Sequence, residues 1–255
     1  MLNTAIKAAR RAGAIINRAT VNGGFEVQAK RANDFVTEVD KAAEAAIIAI
    51  IRQAYPDHAI LAEESGESAG EAKSEYTWVI DPLDGTTNFI HGFPQFCVSI
   101  GVRYRGQVAH AVIYDPQKNE LFTGSKGRGA FLDDRRVRVT KCAHLRDGLI
   151  GTGFPFKELT RLDLYMKQMR TVIEGSAGVR RAGAAALDLA YVACGRLDGF
   201  WEMGLSRWDM AAGALLVKEE GGLVSGLTGE DDWYDSGEIV AGTPKVFVQL
   251  LDAIK

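Results

Sequence analysis

The chain has 255 residues, of which 47% are hydrophobic, enough for one large domain or two small ones with a substantial core. Its 30 Lys and Arg residues against 33 Asp and Glu give a formal net charge of -3, which favours neither a nucleic-acid-binding protein nor one bound to an anionic membrane. Cys97, Cys142 and Cys194 lie far apart without a CxxC pair, so we expect no disulfide framework, no zinc site and a reducing, cytoplasmic setting. Basic residues interrupt the N-terminus, and no stretch approaches the roughly 18 apolar residues of a membrane span.

Two helices are predicted at the start of the chain. The first covers about residues 3–19, has one apolar face and ends before two glycines. A polar segment follows, after which Thr37 can cap a second helix that continues to about Ala54 and is stopped by Pro56.

Asp40, in the first turn of the second helix, is open to two interpretations. It lies seven residues before Ile47, on or near the apolar stripe, where a lone carboxylate would be costly without a partner. An acid in the first turn also stabilises a helix, by about 0.3–1 kcal/mol. The residues alone leave a site role and a helix-terminal role equally open.

Two predicted strands end in acids. The short apolar run at residues 59–62 leads into Glu63-Glu64-Ser65 and a loop at 65–74 that is rich in Gly, Ser, Ala and Glu. Residues 78–89 (WVIDPLDGTTNF) form an apolar run that ends in two carboxylates, followed by glycine and hydroxyl residues. A turn at the carboxyl end of a strand offers backbone N–H groups to an anion. Because two acids alone would repel phosphate, we expect divalent cations between them.

The rest of the chain has a mixed α and β pattern. Short strands with turn signals between Cys97 and Val139 predict an antiparallel meander. Later elements are predicted as a strand at 149–153, helices at 158–174 and 184–194, a strand before Glu202, a helix at 208–220, strands at 223–225 and 239–241, and a last helix after Pro244. No flexible linker marks the plausible boundary near 140–150, so we expect a single unit, residues 1–255, with halves 1–145 and 146–255 that share one interface.

Asp209 opens the predicted helix at 208–220, where an acid taken alone is more often a cap that stabilises by about 1 kcal/mol. Glu63, Asp81 and Asp84 likewise stand where a regular element ends, and no histidine or cysteine cluster accompanies them. An all-oxygen set of ligands selects a hard cation such as Mg²⁺ or Mn²⁺ over zinc.

Four segments, in chain order, resemble the inositol monophosphatase family. Residues 78–89 match its WVIDPLDGTTNF signature and residues 208–213 (WDMAAG) its second, WDxxAG-like signature. Glu63-Glu64-Ser65 fits the upstream EES element, and residues 33–40 (NDFVTEVD) resemble the ND-V-T--D segment. Residues 151–156 (GTGFPF) and 185–198 are most similar to the bacterial SuhB-type group of the family.

The resemblance implies a set of metal ligands. Glu63, Asp81 and the Leu83 carbonyl would hold a first ion, and Asp84 and Asp209 would join Asp81 at a second. A third, weaker ion near Glu63 would be held largely by water. We therefore count Glu63 among the catalytic residues as well.

The resemblance also assigns catalytic and substrate-binding roles. Thr86 and Asp40 would orient and deprotonate a metal-bound water, which favours the site role for Asp40. The phosphate would bind to the backbone N–H groups of Gly85 and Thr86. Glu202 would accept a hydroxyl of the polyol; the alternative is an exposed residue at a strand end. The implied substrate-binding residues are Gly85, Thr86, Gly183, Ala185, Glu202 and Asp209.

The implied function is Mg²⁺-dependent hydrolysis of a phosphate monoester by direct attack of a metal-activated water, without a phosphoenzyme. Mn²⁺ could replace Mg²⁺, and Li⁺ should inhibit at the second metal position. The first choice of substrate is myo-inositol 1-phosphate. Because Ala184 stands where many members carry serine or threonine, glycerol 2-phosphate, nucleoside 2′-phosphates, fructose 1,6-bisphosphate and histidinol phosphate stay candidates. The implied fold is a layered αβαβα sandwich of mixed α/β class, usually in a homodimer.

Two other motif interpretations fit less well. Haloacid-dehalogenase phosphatases carry a DxDGT-like motif, whereas Asp81 and Asp84 are separated by two residues, which would misplace an acid relative to a nucleophile. An EF-hand loop needs a bidentate glutamate at position twelve, which counted from Asp81 is Gly92.

A different class of function is a protein-binding role. The SuhB-type group is also associated with the transcription antitermination machinery, as a partner of RNA polymerase factors. Arginines could supply such a contact surface, although a solvated face is the commoner role of such residues. They are Arg103, Arg105, Arg135, Arg136, Arg138, Arg180 and Arg181.

Overall fold

The computed structural model describes residues 1–31, 34–68, 74–154 and 159–255. Three sets of expectations lie outside the described residues: those for residues 32–33, for the loop at 69–73 and for the segment 155–158. The last segment includes the first residue of the helix predicted at 158–174. The described helices and strands of the first half are α1 (Leu2–Asn22), β1 (Val27–Arg31), β2 (Asp34–Thr37), α2 (Glu38–Ala54), β3 (Ala59–Ala62), β4 (Gly66–Ser68), β5 (Tyr76–Asp84), α3 (Thr86–Ile90), β6 (Cys97–Tyr104), β7 (Gln107–Asp115), β8 (Glu120–Ser125), β9 (Gly129–Leu132) and β10 (Arg135–Arg136).

The second half begins with a short 3₁₀ turn at Leu145–Asp147, and another at Leu159–Arg161 leads into α4. Its described helices and strands are β11 (Leu149–Thr152), α4 (Leu162–Gly175), β12 (Gly178–Arg180), α5 (Ala185–Ala193), β13 (Gly199–Met203), α6 (Arg207–Glu219), β14 (Leu223–Ser225), α7 (Trp233–Ser236), β15 (Glu238–Gly242) and α8 (Pro244–Ala253). No helix within the described ranges is long and apolar enough to cross a membrane.

Two large sheets, three helical layers and one two-stranded hairpin make up the described fold. The strands pair as a hairpin of β1 and β2, an eight-stranded sheet in the order β10-β9-β8-β7-β6-β5-β3-β4, and a five-stranded sheet in the order β12-β11-β13-β15-β14. Helices α1 and α2 pack on one face of the larger sheet, whereas α5 and α6 lie between the two sheets. Helices α4 and α8 pack together against the smaller sheet. This order confirms the αβαβα sandwich.

The alternation of side chains along the strands separates the layers. On β13, Phe200 faces the core that contains α5 and α6, whereas Trp201 faces the core formed with α4 and α8. On β7, Ile113 faces the α5 and α6 side, and Val112 faces the α1 and α2 side. Both sheets are therefore covered on both faces. Successive side chains along a strand point to opposite faces, and in these strands both sets are buried.

Some short elements differ from the sequence prediction. The polar segment before Thr37 contains β1 and β2, which pair antiparallel, and the loop predicted at 65–74 begins with β4. The sequence analysis also missed β12 and α7. These elements have five residues or fewer. They also lack the continuous apolar run that identified the equally short strand at 59–62.

Candidate active site

The strand β5 carries the central carboxylates. The sequence pattern predicted a strand that ends in the two carboxylates Asp81 and Asp84, and β5 does continue to Asp84, through an irregular register with β6 between these two residues. Pro82 lies inside this irregularity, where its missing N–H does not interrupt a regular ladder. The Leu83 side chain is fully buried in the core, so it anchors the strand end while its carbonyl oxygen lies 3.1 Å from Thr86 Oγ1.

The turn after β5 requires glycine. Gly85 adopts φ +93°, in the left-handed region, and a Cβ there would lie 2.8 Å from the carbonyl oxygen of Gln95. Helix α3 begins at the next residue, Thr86. The backbone can therefore turn sharply enough to place Thr86 directly beside the end of the strand.

Asp40 and Thr86 form the hydrogen bond that links α2 to this turn. Thr86 Oγ1 donates to Asp40 Oδ1 at 3.0 Å, while the other carboxylate oxygen, Oδ2, accepts from Thr37 Oγ1 at 2.5 Å and from Thr37 N at 2.9 Å. Burial raises the pKa of Asp40, and the hydrogen bonds from Thr37 and Thr86 oppose that rise. Asp40 thus closes the capping box of α2, as the helix-terminal interpretation predicts, and it also contacts Thr86, while its site role stays a prediction.

Four carboxylates from different elements influence one another electrostatically. Burial raises the pKa of Asp81 well above its ordinary value, and the nearby charges of Glu63, Asp84 and Asp209 raise it further. The pKa of Asp84 is raised to about 8, first by burial and then by Asp209. The structure therefore brings together the four acids that the sequence placed at element ends. Their mutual repulsion marks a place that lacks positive charge.

Three of these acids turn one oxygen towards a backbone N–H group. Asp81 Oδ1 accepts from Leu83 N at 2.9 Å, Asp84 Oδ2 from Ala186 N at 2.7 Å and Asp209 Oδ2 from Ser206 N at 2.7 Å. Among the residues the structure describes, no three His, Cys, Asp or Glu side chains are already gathered into a coordination shell. The pKa shifts show that these carboxylates nevertheless lie close enough to interact.

The second half brings the expected substrate contacts to the same place. Ala185 is the first residue of α5, and the following N–H group, of Ala186, is the one bound to Asp84. Burial raises the pKa of Glu202 well above its ordinary value, and Asp188 raises it further. Glu202 is half-buried in the structure, so it is not a fully exposed residue at the strand end.

Gly153 leaves the space that the Glu202 side chain fills. A Cβ at Gly153 would lie 1.9 Å from Glu202 Oε1, so any larger residue would displace the carboxylate. The two residues stand at the ends of neighbouring parallel strands, β11 and β13.

The sequence analysis missed Glu44, a buried acid that supports the site. It is only 3% exposed, and its carboxylate accepts hydrogen bonds from Glu64 N at 2.8 Å and Ser65 N at 2.9 Å. These bonds attach the segment after β3 to α2. The sequence does contain a signal for a supporting role of Glu44, because this acid lies four residues after Asp40 on the apolar stripe of the helix.

Most of the arginines considered as a contact surface have partners within the chain. Arg105 pairs with Glu75 at 2.5 Å, and Arg138 pairs with the buried carboxylate of Glu220 at 2.9 Å. The Arg103 guanidinium donates to the Gly106 carbonyl and stacks 3.9 Å from the centre of the Tyr234 ring. These arginines therefore make contacts within the chain, so their presence alone does not favour a partner-binding surface over a role in local structure.

Comparison with known proteins agrees with the fold. A model of the inositol monophosphatase family matches residues 1–254. A Pseudomonas aeruginosa protein named Nus factor SuhB is 55% identical over 260 residues, covering 100% of this chain and 96% of that protein. The resemblance of the four segments is thus confirmed along the whole chain.

Solved structures share the same architecture. The extragenic suppressor protein suhB from Bartonella henselae has a TM-score of 0.96 and 43% identity, covering 99% of this chain and 97% of that one. An inositol monophosphatase from Anabaena has a TM-score of 0.85 and 40% identity, covering 99% of this chain and 94% of that one.

Proposed function

The chain belongs to the inositol monophosphatase family, which supports a phosphatase activity, and we propose that it hydrolyses myo-inositol 1-phosphate to inositol and phosphate in a Mg²⁺-dependent reaction. The observation that carries this proposal is the cluster of Glu63, Asp81, Asp84 and Asp209 beside Thr86. Buried carboxylates that raise one another's pKa are stable in ionised form only with cations between them.

The donor set fits Mg²⁺. Glu63, Asp81 and the Leu83 carbonyl would hold one ion, Asp81, Asp84 and Asp209 a second, and a third near Glu63 would be held largely by water. All of these donors are oxygens, the ligand type that Mg²⁺ prefers. When bound, the ions would polarise the phosphate, lower the pKa of water and neutralise the charge of the leaving oxygen. Mn²⁺ would serve as a substitute, and Li⁺ would inhibit.

The pair of Thr86 and Asp40 handles the proton of the attacking water. Thr86 Oγ1 has a single hydrogen, which lies within reach of Asp40 Oδ1 at 3.0 Å. A water on the other side of the hydroxyl can donate to Oγ1 while the hydroxyl hydrogen stays directed at the carboxylate. The raised pKa of Asp40 makes its carboxylate a better proton acceptor than an ordinary aspartate. Attack is in line with the leaving alcohol, and no phosphoenzyme forms.

The remaining residues bind the two ends of the substrate. The N–H groups of Gly85 and Thr86 would bind the phosphate, and Asp209 and Glu202 would bind hydroxyls of the alcohol. The backbone at Gly183 and Ala185 would line the same side, next to the Asp84 carboxylate that α5 already contacts.

A panel of phosphate esters tests this proposal. Phosphate release is measured with Mg²⁺, with Mn²⁺, with EDTA and with Mg²⁺ plus Li⁺, on myo-inositol 1-phosphate, glycerol 2-phosphate, a nucleoside 2′-phosphate, fructose 1,6-bisphosphate and histidinol phosphate. We expect Mg²⁺-dependent, Li⁺-sensitive release, fastest with myo-inositol 1-phosphate. Activity that persists in EDTA, or a trapped aspartyl-phosphate, would contradict the mechanism.

We also propose a second role, as a partner of transcription antitermination factors or RNA polymerase in the cytoplasm. The observation that favours it is the 55% identity to a protein named Nus factor SuhB. Cells that carry only an Asp81→Asn variant should then still make ribosomal RNA at the normal rate. Loss of ribosomal RNA synthesis in that strain would tie the role to catalysis. Failure to co-purify with transcription factors would argue against the role altogether.

We propose that the protein is a homodimer. The outer side of α4 exposes Met166 and Ile173, at 52% and 58% of their surface, and Leu159 just before the helix at 61%. Exposed apolar residues of this size in one area are typical of a contact surface. Light scattering after size exclusion measures the mass, and an Ile173→Lys change should shift it towards the monomer.

A further inference from the structure

Asn88 connects three backbone segments beside the site. Its Nδ2 lies 2.7 Å from the Gln95 oxygen, 2.9 Å from the Ala182 oxygen and 3.3 Å from the Gly183 oxygen. An amide NH₂ group has two hydrogens, so it binds the two nearer carbonyls and shares one hydrogen with the third. Because all three partners are acceptors, only the NH₂ side of the amide can face them.

Each of these segments adjoins a group that the proposed reaction uses. The Gln95 carbonyl packs against the phosphate-binding turn, because it is the atom that a Cβ at Gly85 would approach to 2.8 Å. On the other side, Gly183 adopts φ +89° and leads into α5, whose Ala186 N–H group donates to Asp84 at 2.7 Å. Asn88 therefore lies between the phosphate turn of the first half and the alcohol-binding segment of the second.

The backbone of Asn88 strengthens this arrangement. Its carbonyl oxygen accepts a hydrogen bond from Phe93 N at 2.8 Å, and Gln95 N in turn donates to the Phe93 oxygen at 2.7 Å. The loop that carries Gln95 is thus held to α3 by main-chain bonds as well. The link to Ala182 and Gly183 is made by the side chain across 94 residues of sequence.

We propose that Asn88 is a positioning residue that sets the affinity for the alcohol half of the substrate. It fixes the Ala182–Gly183 backbone against the phosphate turn, so that Gly183 and Ala185 face the leaving alcohol. The inference rests on the proposed phosphatase function for its substrate, but the link between the two halves is a property of the chain itself.

The first test is an Asn88→Asp variant, which keeps the shape of the side chain and replaces the donor by an oxygen that faces three carbonyls. We expect the KM for myo-inositol 1-phosphate to rise roughly tenfold or more, because a displaced contact weakens binding. The kcat should stay within about threefold, since Thr86 and Asp40 are held by other bonds. A kcat that falls with unchanged KM would overturn the assignment. Asn88→Ala removes the donor without adding charge and replaces the Asp variant if that one does not fold.

A matched control and a second readout separate positioning from general stability. Asn17 Nδ2 donates to the Pro116 oxygen at 2.9 Å and so joins distant segments in the same way, on α1. Asn17→Asp should leave the KM unchanged. Hydrogen–deuterium exchange without Mg²⁺ should rise in residues 178–187 of Asn88→Asp and stay unchanged there in Asn17→Asp.

The outcomes distinguish this inference from the proposed function. Unchanged exchange in residues 178–187 would overturn the positioning role, and so would raised exchange with an unchanged KM in an active enzyme. If the wild-type protein hydrolyses no phosphate ester, the proposed function fails. The exchange experiment then still decides whether Asn88 holds this segment.

Discussion

Single side chains decide whether the carboxylate cluster can bind the cations that the proposed reaction needs. We predict that Asp81→Asn or Asp209→Asn reduces Mg²⁺-dependent phosphate release to background, because each removes a negative charge on which the cation would depend. Both variants should stay folded by circular dichroism, since an amide oxygen still accepts from Leu83 N or Ser206 N. Asp235→Asn, at an exposed ion pair with Arg207, is the control and should keep normal turnover. Near-normal release by either site variant would contradict the metal assignment.

The space next to Glu202 gives a second prediction at this scale. Gly153→Ala places a methyl group 1.9 Å from the present position of Glu202 Oε1, so the carboxylate must move away from the alcohol. We expect the KM for myo-inositol 1-phosphate to rise about tenfold, as for the loss of a hydroxyl contact, with a smaller change in kcat. Steady-state kinetics measure both constants. Gly175→Ala serves as control, because its Cβ would meet no atom closer than 3.7 Å. An unaltered KM in Gly153→Ala would show that Glu202 does not bind the alcohol.

The residues of the site differ in how far the sequence could predict them. Asp81 and Asp84 follow from a strand that ends in acids and Asp209 from an acid that opens a helix, and both patterns are local. Asn88 contacts carbonyls 94 and 95 residues away, and no local pattern indicates such a contact. Its neighbours in sequence, two threonines and a phenylalanine, are equally compatible with a solvated amide.

At the scale of elements, α2 supports the site at two points one turn apart. Asp40 contacts Thr86, and Glu44 holds the N–H groups of Glu64 and Ser65, directly after Glu63. We predict that Glu44→Gln weakens Mg²⁺ binding roughly tenfold, because outer-shell partners commonly have effects of this size. Calorimetric titration with Mg²⁺ measures the affinity.

A control for that variant is available on the same helix. Lys41→Gln changes an exposed side chain that donates to Gln28, so it should leave Mg²⁺ affinity unaltered. If Glu44→Gln bound Mg²⁺ as tightly as the wild type, the hydrogen bonds from Glu64 N and Ser65 N to Glu44 would not contribute to Mg²⁺ binding.

Helix α2 and even the three-residue strand β14 were predictable, whereas the equally short β4 was not. Helix α2 was predicted from Thr37 to Ala54, and the structure places it at Glu38–Ala54 with Thr37 as its cap. Its capping residue, apolar stripe and proline stop all agree, so several signals coincide. Strand β4 spans only Gly66–Ser68 and pairs with β3 through tertiary contact, a constraint that local sequence does not contain.

At the scale of the whole molecule, buried acids make stability depend on pH and on cations. The pKa of Asp84 rises from 3.8 in the unfolded reference to about 8 in the folded protein. Between these values the folded state holds a proton that the unfolded state has lost, so the free energy of unfolding falls as pH rises. We predict that in EDTA the melting temperature is lower at about pH 8 than at about pH 5, and that Mg²⁺ removes most of this difference.

Scanning calorimetry at the two pH values, with EDTA or Mg²⁺, measures this effect. Asp84→Asn removes one titrating group and should flatten the dependence in EDTA. A melting temperature that rises with pH in EDTA would show that the cluster is held ionised by some other means.

The layer order of the whole molecule came from the resemblance and not from the hydrophobic pattern. Alternating elements indicated mixed α and β, but strands buried on both faces carry no sign of which helix covers which face. That α6 packs on the sheet of the first half, and not only on its own, becomes visible only in three dimensions. The division into halves at 1–145 and 146–255 stays a prediction.

The position of α6 also determines how late in synthesis one face of the larger sheet can be covered. This helix covers the face of the eight-stranded sheet that α1 and α2 leave bare, yet it ends at Glu219, about 80 residues after β10 ends at Arg136. At about 5–20 residues per second, a ribosome needs several seconds to add that stretch. Until α5 and then α6 have been made, apolar residues of this face, such as Ile113 and Phe122, lack their covering helices. A growing chain is therefore exposed to chaperones and to aggregation until most of its second half has emerged.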